Sequence, residues 1–153
     1  MTSSTPKYTG GCLCGAVRYA FDVEPVDADI CHCRMCQKAT GSLFAPFTGV
    51  PRDELKWTKS EPKVYRSSAV AERSFCPDCG TPLTFRYLDL PKISVSIGSL
   101  DDPAAVRPTS QCSIESRMPW FGELAGLPGT RTEDDMPQEY IDKIEASRHS
   151  GQD

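Results

Sequence analysis

Hydrophobic and polar positions in this chain alternate over short stretches and never settle into a long helical period. Residues 16–21 (AVRYAF) set Val17, Tyr19 and Phe21 on one face and Ala16, Arg18 and Ala20 on the other, the two-residue repeat of a half-buried strand. Comparable runs at 43–50, 63–67, 71–75, 82–88, 92–97 and 111–115 bring the expectation to about seven strands. The 11 Gly and 13 Pro punctuate these runs, which again favours β-structure. Helix is predicted in two places. One is a turn or two after Cys33 through Ala39; the other is 137–147, where Met136, Tyr140, Ile141 and Ile144 share a face and Pro137 suits the first turn. Residues 126–129 (GLPG) lead only into that second helix, too small to fold alone, so one domain is expected.

Composition narrows the function classes. With 153 residues, 39% of them hydrophobic and 25% charged, the chain can bury a real core. Seventeen basic against 21 acidic residues give 17 − 21 = −4, which argues against a dedicated nucleic-acid or anionic-membrane binder, because both need a clustered positive field. A local basic pocket remains compatible with that balance. The opening MTSSTPKYTGG holds no apolar run of signal-peptide length, and no stretch suffices to span a bilayer, so the expected setting is cytoplasmic and away from membranes.

The eight cysteines then become informative, because thiols in a reducing compartment serve metals or catalysis more often than disulfides. Seven of them form three groups: Cys12 and Cys14; Cys31, Cys33 and Cys36; Cys76 and Cys79. FCPDCGTPL has the spacing of a zinc knuckle, two thiolates turned toward one ion with Gly80 easing the turn. A closed tetrahedral site needs two more sulfurs, which Cys12 and Cys14 can supply. That leaves Cys31, Cys33 and Cys36 as three ligands with a fourth position open, the arrangement of a catalytic zinc site. The spacing leaves other assignments open: two structural sites, the second completed by His32 or Cys112; a redox dithiol at Cys76 and Cys79; or iron–sulfur ligation.

Around these groups, His32 sits between two ligand positions and is expected to aim elsewhere, Cys112 reads as a small buried hydrophobe, and His149 as solvated. Arg34, Lys38 and Arg73 adjoin the cysteines in sequence; each is compatible with a plain surface charge, and together they offer anion contacts, Arg in particular forking onto carboxylates. Phe44, Phe47, Trp57, Phe75, Phe85, Trp120 and Phe121 read as core and pocket wall, since no basic stripe interleaves them.

Taken in order, GGCLCGAVRY, CHCRMCQKATGS, RSFCPDCGTPL, ISVSIGSLDDP and the Pro119-Trp120 pair resemble the family of glutathione-dependent formaldehyde-activating enzymes, which includes centromere protein V. The resemblance covers roughly residues 8 to 127. It implies a mainly β fold, a β-tent of two antiparallel sheets with a structural zinc site and a short C-terminal helix. It places Cys12, Cys14, Cys76 and Cys79 at the structural zinc positions and Cys31, Cys33 and Cys36 at the catalytic ones. One departure is visible: many members carry a histidine where this chain has Gln111.

The expected organisation is a flexible N-terminus at 1–7, a zinc-binding β domain at 8–127, and a C-terminal helix with a frayed tail at 128–153. The expected function is a small zinc enzyme of the carbon–sulfur lyase type with two zinc ions, one structural and one catalytic. It would act on a thiol–aldehyde adduct such as S-hydroxymethylglutathione, with Arg34, Lys38 and Arg73 meeting an anionic thiol such as glutathione. The rival class is a non-catalytic zinc module that binds a protein partner.

Overall fold

The structure is a computed structural model that describes residues 5–147. The expectations of flexibility at residues 1–4, of a frayed tail at 148–153 and of a solvated His149 fall outside the described residues. Among the described residues, ten strands form two sheets: β1 (Tyr8–Gly11), β2 (Arg18–Phe21) and β5 (Lys56–Trp57) in the smaller, seven others in the larger. The larger sheet runs β10-β3-β4-β9-β8-β7-β6, with β3 at Asp27–Cys31, β4 at Ala45–Pro51 and β6 at Lys63–Arg66. Its remaining members are β7 (Ala71–Phe75), β8 (Pro82–Tyr87), β9 (Lys92–Ser96) and β10 (Ser110–Cys112).

Strand alternation decides what each face does. Val17, just before β2, and Tyr19 and Phe21 within it are buried together, as the repeat predicts. They meet Val50, Leu83, Ile93 and Val95 from one face of the larger sheet, and this shared core holds the two sheets together. The opposite face of the larger sheet is fixed by register. Cys112 lies beside Cys31, Cys31 opposite Ala45, Phe47 opposite Ser96 and Phe85 opposite both Ser94 and Arg73. Side chains at paired positions share a face, so all of these look away from the core.

The expected mainly β architecture of two antiparallel sheets is present, and a single pairing departs from the pattern, β10 with β3 in parallel. A parallel neighbour needs a long crossover, and the chain between β3 and β10, which builds most of the larger sheet, provides one. The predicted strand at 111–115 also ends early: Ser113 takes a left-handed conformation (φ 52°) and a 3-10 turn follows at Ile114–Ser116. Helix α1 (Arg34–Thr40) stands where predicted and stops at Gly41, whose φ of 70° suits a residue without a Cβ. Two short helices follow, α2 (Thr132–Asp135) and α3 (Gln138–Ser147). The predicted apolar face of α3 is not buried, with Tyr140 and Ile144 largely exposed.

Candidate metal centres and the cleft beside them

Two groups of thiols come together, and all eight cysteines are free of disulfides. In the first group, Cys12 and Cys14 follow β1 in the turn into β2, and Cys76 and Cys79 sit in the turn between β7 and β8. The knuckle closes because Gly80, at φ 78°, lets its N–H reach the Cys76 carbonyl at 2.9 Å. A second tie, from Leu13 N–H to Thr81 Oγ1 at 3.0 Å, fastens the two turns to each other. The four sulfurs lie within 4.8 Å of one another, with Cys12 to Cys14 at 3.5 Å and Cys14 to Cys76 at 3.8 Å. Zinc–sulfur bonds of about 2.3 Å in a tetrahedron require sulfurs about 3.8 Å apart, so this donor set fits the ion. Val17 N–H donates to Cys12 Sγ at 3.2 Å and Thr81 Oγ1 lies 3.1 Å from Cys79 Sγ, contacts that stabilise thiolates. Burial pushes the Cys79 thiol up, but hydrogen bonds from Thr81, Cys14 and Cys76 together outweigh it and hold the group at about 6.

The second group is local in sequence. Cys31 ends β3 on the face away from the core, Cys33 caps α1 with its sulfur accepting from Cys36 N–H at 3.2 Å, and Cys36 lies one helical turn on. Their three sulfurs are also within 4.8 Å of one another. The hydrogen bond from Cys36 brings the Cys31 thiol down to about 4, while the same contact pushes Cys36 up. Such a soft three-sulfur set suits zinc with one ligand direction left over. All three cysteines line a cleft of about 450 Å³, within the size range of small-molecule sites.

Of the three basic residues singled out in the sequence, Arg73 reaches this cleft; Arg34 and Lys38 do not appear among its described lining residues. Both lie on the exposed side of α1, where Arg34 Nη1 donates to Gln37 Oε1. On that helix it is Met35, between Arg34 and Cys36, that reaches the cleft wall. Arg73 is 6% exposed, donates from Nη2 to Cys36 Sγ at 3.3 Å, and lays its guanidinium over the Phe85 ring at 4.7 Å. Among the described residues its buried Nε finds no acceptor.

His32 points away from the thiols. It is fully buried, edge-on to Phe121 at 4.8 Å, with Nε2 2.9 Å from Gln111 Oε1. Arg117 Nη1 stands 3.5 Å from that same oxygen, which makes it the acceptor and His32 Nε2 the donor. Gln111 thus supports a buried imidazole. Sequence reasoning read Cys112 first as a small buried hydrophobe and only alternatively as completing the second site; the parallel register sets it beside Cys31 on the cleft wall. Spacing along the chain carries no signal for a contact made only through strand order.

A mainly β, two-sheet scaffold with one four-thiol and one three-thiol cluster defines a class of cysteine-rich proteins with two sites that could each hold a metal ion. Comparison gives the family. The sequence profile of the glutathione-dependent formaldehyde-activating enzyme family matches residues 7–116, and the chain belongs to that family. It is 37% identical over 82 residues to an uncharacterised lyase of Schizosaccharomyces pombe, covering 54% of this chain and 59% of that protein. It is 34% identical over 90 residues to a Podospora anserina protein described by the family's enzyme name, with 54% and 42% covered. A Colletotrichum graminicola protein of the same description is 30% identical over 111 residues, with 63% and 58% covered. The chain thus spans about half the length of these curated relatives. A crystal structure of a Rhodobacter sphaeroides protein shares the fold, with a TM-score of 0.54 at 22% identity over 67% of this chain and 98% of that one.

Proposed function

We propose that this chain is a zinc-dependent enzyme of the carbon–sulfur lyase type that makes or breaks the adduct of a small anionic thiol with an aldehyde, S-hydroxymethylglutathione being the simplest example. The observation that carries the reading is the position of three clustered thiols on the wall of a ligand-sized cleft beside Arg73. Family membership supports it, as do relatives described as lyase and as glutathione-dependent formaldehyde-activating enzymes. Cys12, Cys14, Cys76 and Cys79 would hold a structural zinc, and Cys31, Cys33 and Cys36 a second one. Zinc at the second site supplies Lewis acidity, toward sulfur or toward an aldehyde oxygen.

The chain's own residues do the rest. Adduct formation joins thiol sulfur to carbonyl carbon, moves the carbonyl π pair onto oxygen, and passes the thiol proton to that oxygen; cleavage is the reverse. Arg73 is held in place by Phe85 and Cys36, with donors to spare for a substrate carboxylate. Arg86 and Lys92, also on the cleft, already pair with Glu72 and Asp27, so they contribute less to anion binding. Free thiols throughout suit a cytoplasmic setting. Among the described residues no helix is long and apolar enough to cross a membrane.

The test is calorimetric titration of zinc-loaded protein with glutathione, S-methylglutathione and 2-mercaptoethanol. Glutathione is expected to bind best, with S-methylation weakening the sulfur contact and the neutral thiol lacking a partner for Arg73. Absence of heat with all three at millimolar ligand removes the enzyme reading and favours a partner-binding zinc module.

A further inference from the structure

The cleft offers more than the proposed reaction on formaldehyde uses. From the three thiols an aromatic row runs outward along the same face of the larger sheet: Phe47 and Phe85 have ring centroids 6.2 Å apart, and Phe85 and Tyr87 5.0 Å apart, edge to face. Phe47 and Phe85 pack on the cysteine cluster itself. Beyond Tyr87 the wall continues to the rim, where the turn after β8 meets the turn before β7; Val70 carbonyl accepts from Leu88 N–H at 3.0 Å and fixes that junction. There Val70, Tyr87 and Leu90 stand 54%, 49% and 48% exposed, and Met35 on α1 is 49% exposed. All four line the cleft.

Single exposed apolar side chains are ordinary, but four on the rim of one cleft that opens on a metal-type cluster form a directed surface. Formaldehyde adds one carbon to sulfur. A single carbon held at the thiols would leave the row from Phe85 to Leu90 wet and unused. We propose that this row is a subsite for the carbon chain of a larger apolar aldehyde, carried as its thiol adduct, so that the substrate class extends to aliphatic aldehydes of several carbons.

The two ends of the cleft match the two ends of such an adduct. Arg73, with its unmatched donor, takes the anionic thiol portion beside Cys36, and the chain follows Phe85 and Tyr87 to Val70 and Leu90. The occupant is committed by that geometry: an adduct anchored at the cysteines, since the apolar row starts on them. The inference rests on the function proposed above, and its test separates the two.

Zinc-loaded full-length protein, methyl-labelled at Met, Leu and Val, is titrated with glutathione, S-methylglutathione and S-hexylglutathione. The two thioethers carry short and long carbon chains without the reversible hemithioacetal. The hexyl ligand is expected to bind at least roughly tenfold more tightly than the methyl ligand, because its methylenes leave water, and to move the Met35, Val70 and Leu90 methyl resonances. Leu90→Asp, a change at an exposed rim position, is expected to reduce the hexyl-to-methyl ratio to below about threefold. Equal affinity for the two thioethers while glutathione binds overturns the inference and leaves the proposed function standing. A tenfold ratio that survives Leu90→Asp also overturns the assigned row. No binding of any of the three removes both. Methyl shifts that follow protein concentration and not ligand assign the rim to self-association and overturn it as well.

Discussion

A buried arginine has to be held by something, and Arg73 shows how its charge is managed. Its guanidinium stacks on Phe85, one Nη donates to Cys36 Sγ, and its buried Nε has no acceptor among the described residues. An orphaned buried donor costs about 1–3 kcal/mol, more for a charged group, so the side chain is set to gain when an anionic oxygen arrives. Lysine at this position would keep the charge but lose the planar fork and the stack on the ring. Arg73→Lys is therefore expected to lower glutathione affinity by roughly ten- to a hundredfold, the loss of one charge-assisted hydrogen bond of about 1.5–3 kcal/mol, with zinc content unchanged. Calorimetry paired with elemental analysis checks it. Unaltered affinity would remove Arg73 from substrate binding.

At the scale of elements, the smaller sheet is docked through a polar tie as well as through its core face. Arg18 on β2 grips Asp101 with both guanidinium nitrogens, Thr9 Oγ1 on β1 donates to the same carboxylate at 2.6 Å, and Tyr19 Oη lies 2.8 Å from Ser99. The Arg18 hydrogen bonds hold the Asp101 carboxyl below its usual value against the opposing effect of burial. A depressed folded-state pKa contributes stability that is fully present above the unfolded value of about 3.9 and is lost as pH falls through the folded one. Asp101→Asn should therefore be less stable than the parent at pH 7, with the gap closing as pH drops below about 4. Urea denaturation across that range measures it; a gap independent of pH would mean that the carboxylate charge contributes nothing.

The same elements show what a sequence can reveal. Strand β2 and the knuckle were legible because their signals are local: a two-residue alternation, and two cysteines three positions apart followed by Gly80. Strand β1 was not, because Thr9-Gly10-Gly11 carries little strand propensity, and β3 hides behind Asp27 and Asp29, which face Lys92 and the cleft. The three-thiol cluster was legible for the same local reason. Its cleft was not, since Phe47, Phe85, Leu90 and Cys112 converge only through the non-sequential order of the larger sheet.

For the whole molecule, the two cysteine clusters differ in what they connect. The four-thiol group joins the β1–β2 turn to the β7–β8 turn, with Cys14 and Cys76 separated by 62 positions in sequence, and so fastens one sheet to the other. A sheet of three short strands has little stability of its own, so a metal bound at this junction would contribute its binding energy to folding. The three thiols all lie within the six residues from Cys31 to Cys36, so a metal held by them would join no distant segments, and the long-range contact made there is the Arg73 hydrogen bond to Cys36. Cys79→Ser is therefore expected to lower Tm by on the order of 10 °C or more, with loss of zinc that resists mild chelation. Cys33→Ser should leave Tm within a few degrees, remove the readily chelated zinc and abolish glutathione binding; an effect of about 0.5–1 kcal/mol from the weakened α1 cap is all its fold should register. Thermal denaturation and metal analysis on both variants, before and after a brief chelator wash, separate the sites. Should Cys33→Ser unfold the protein as severely as Cys79→Ser, both clusters are structural and the cleft loses its catalytic assignment.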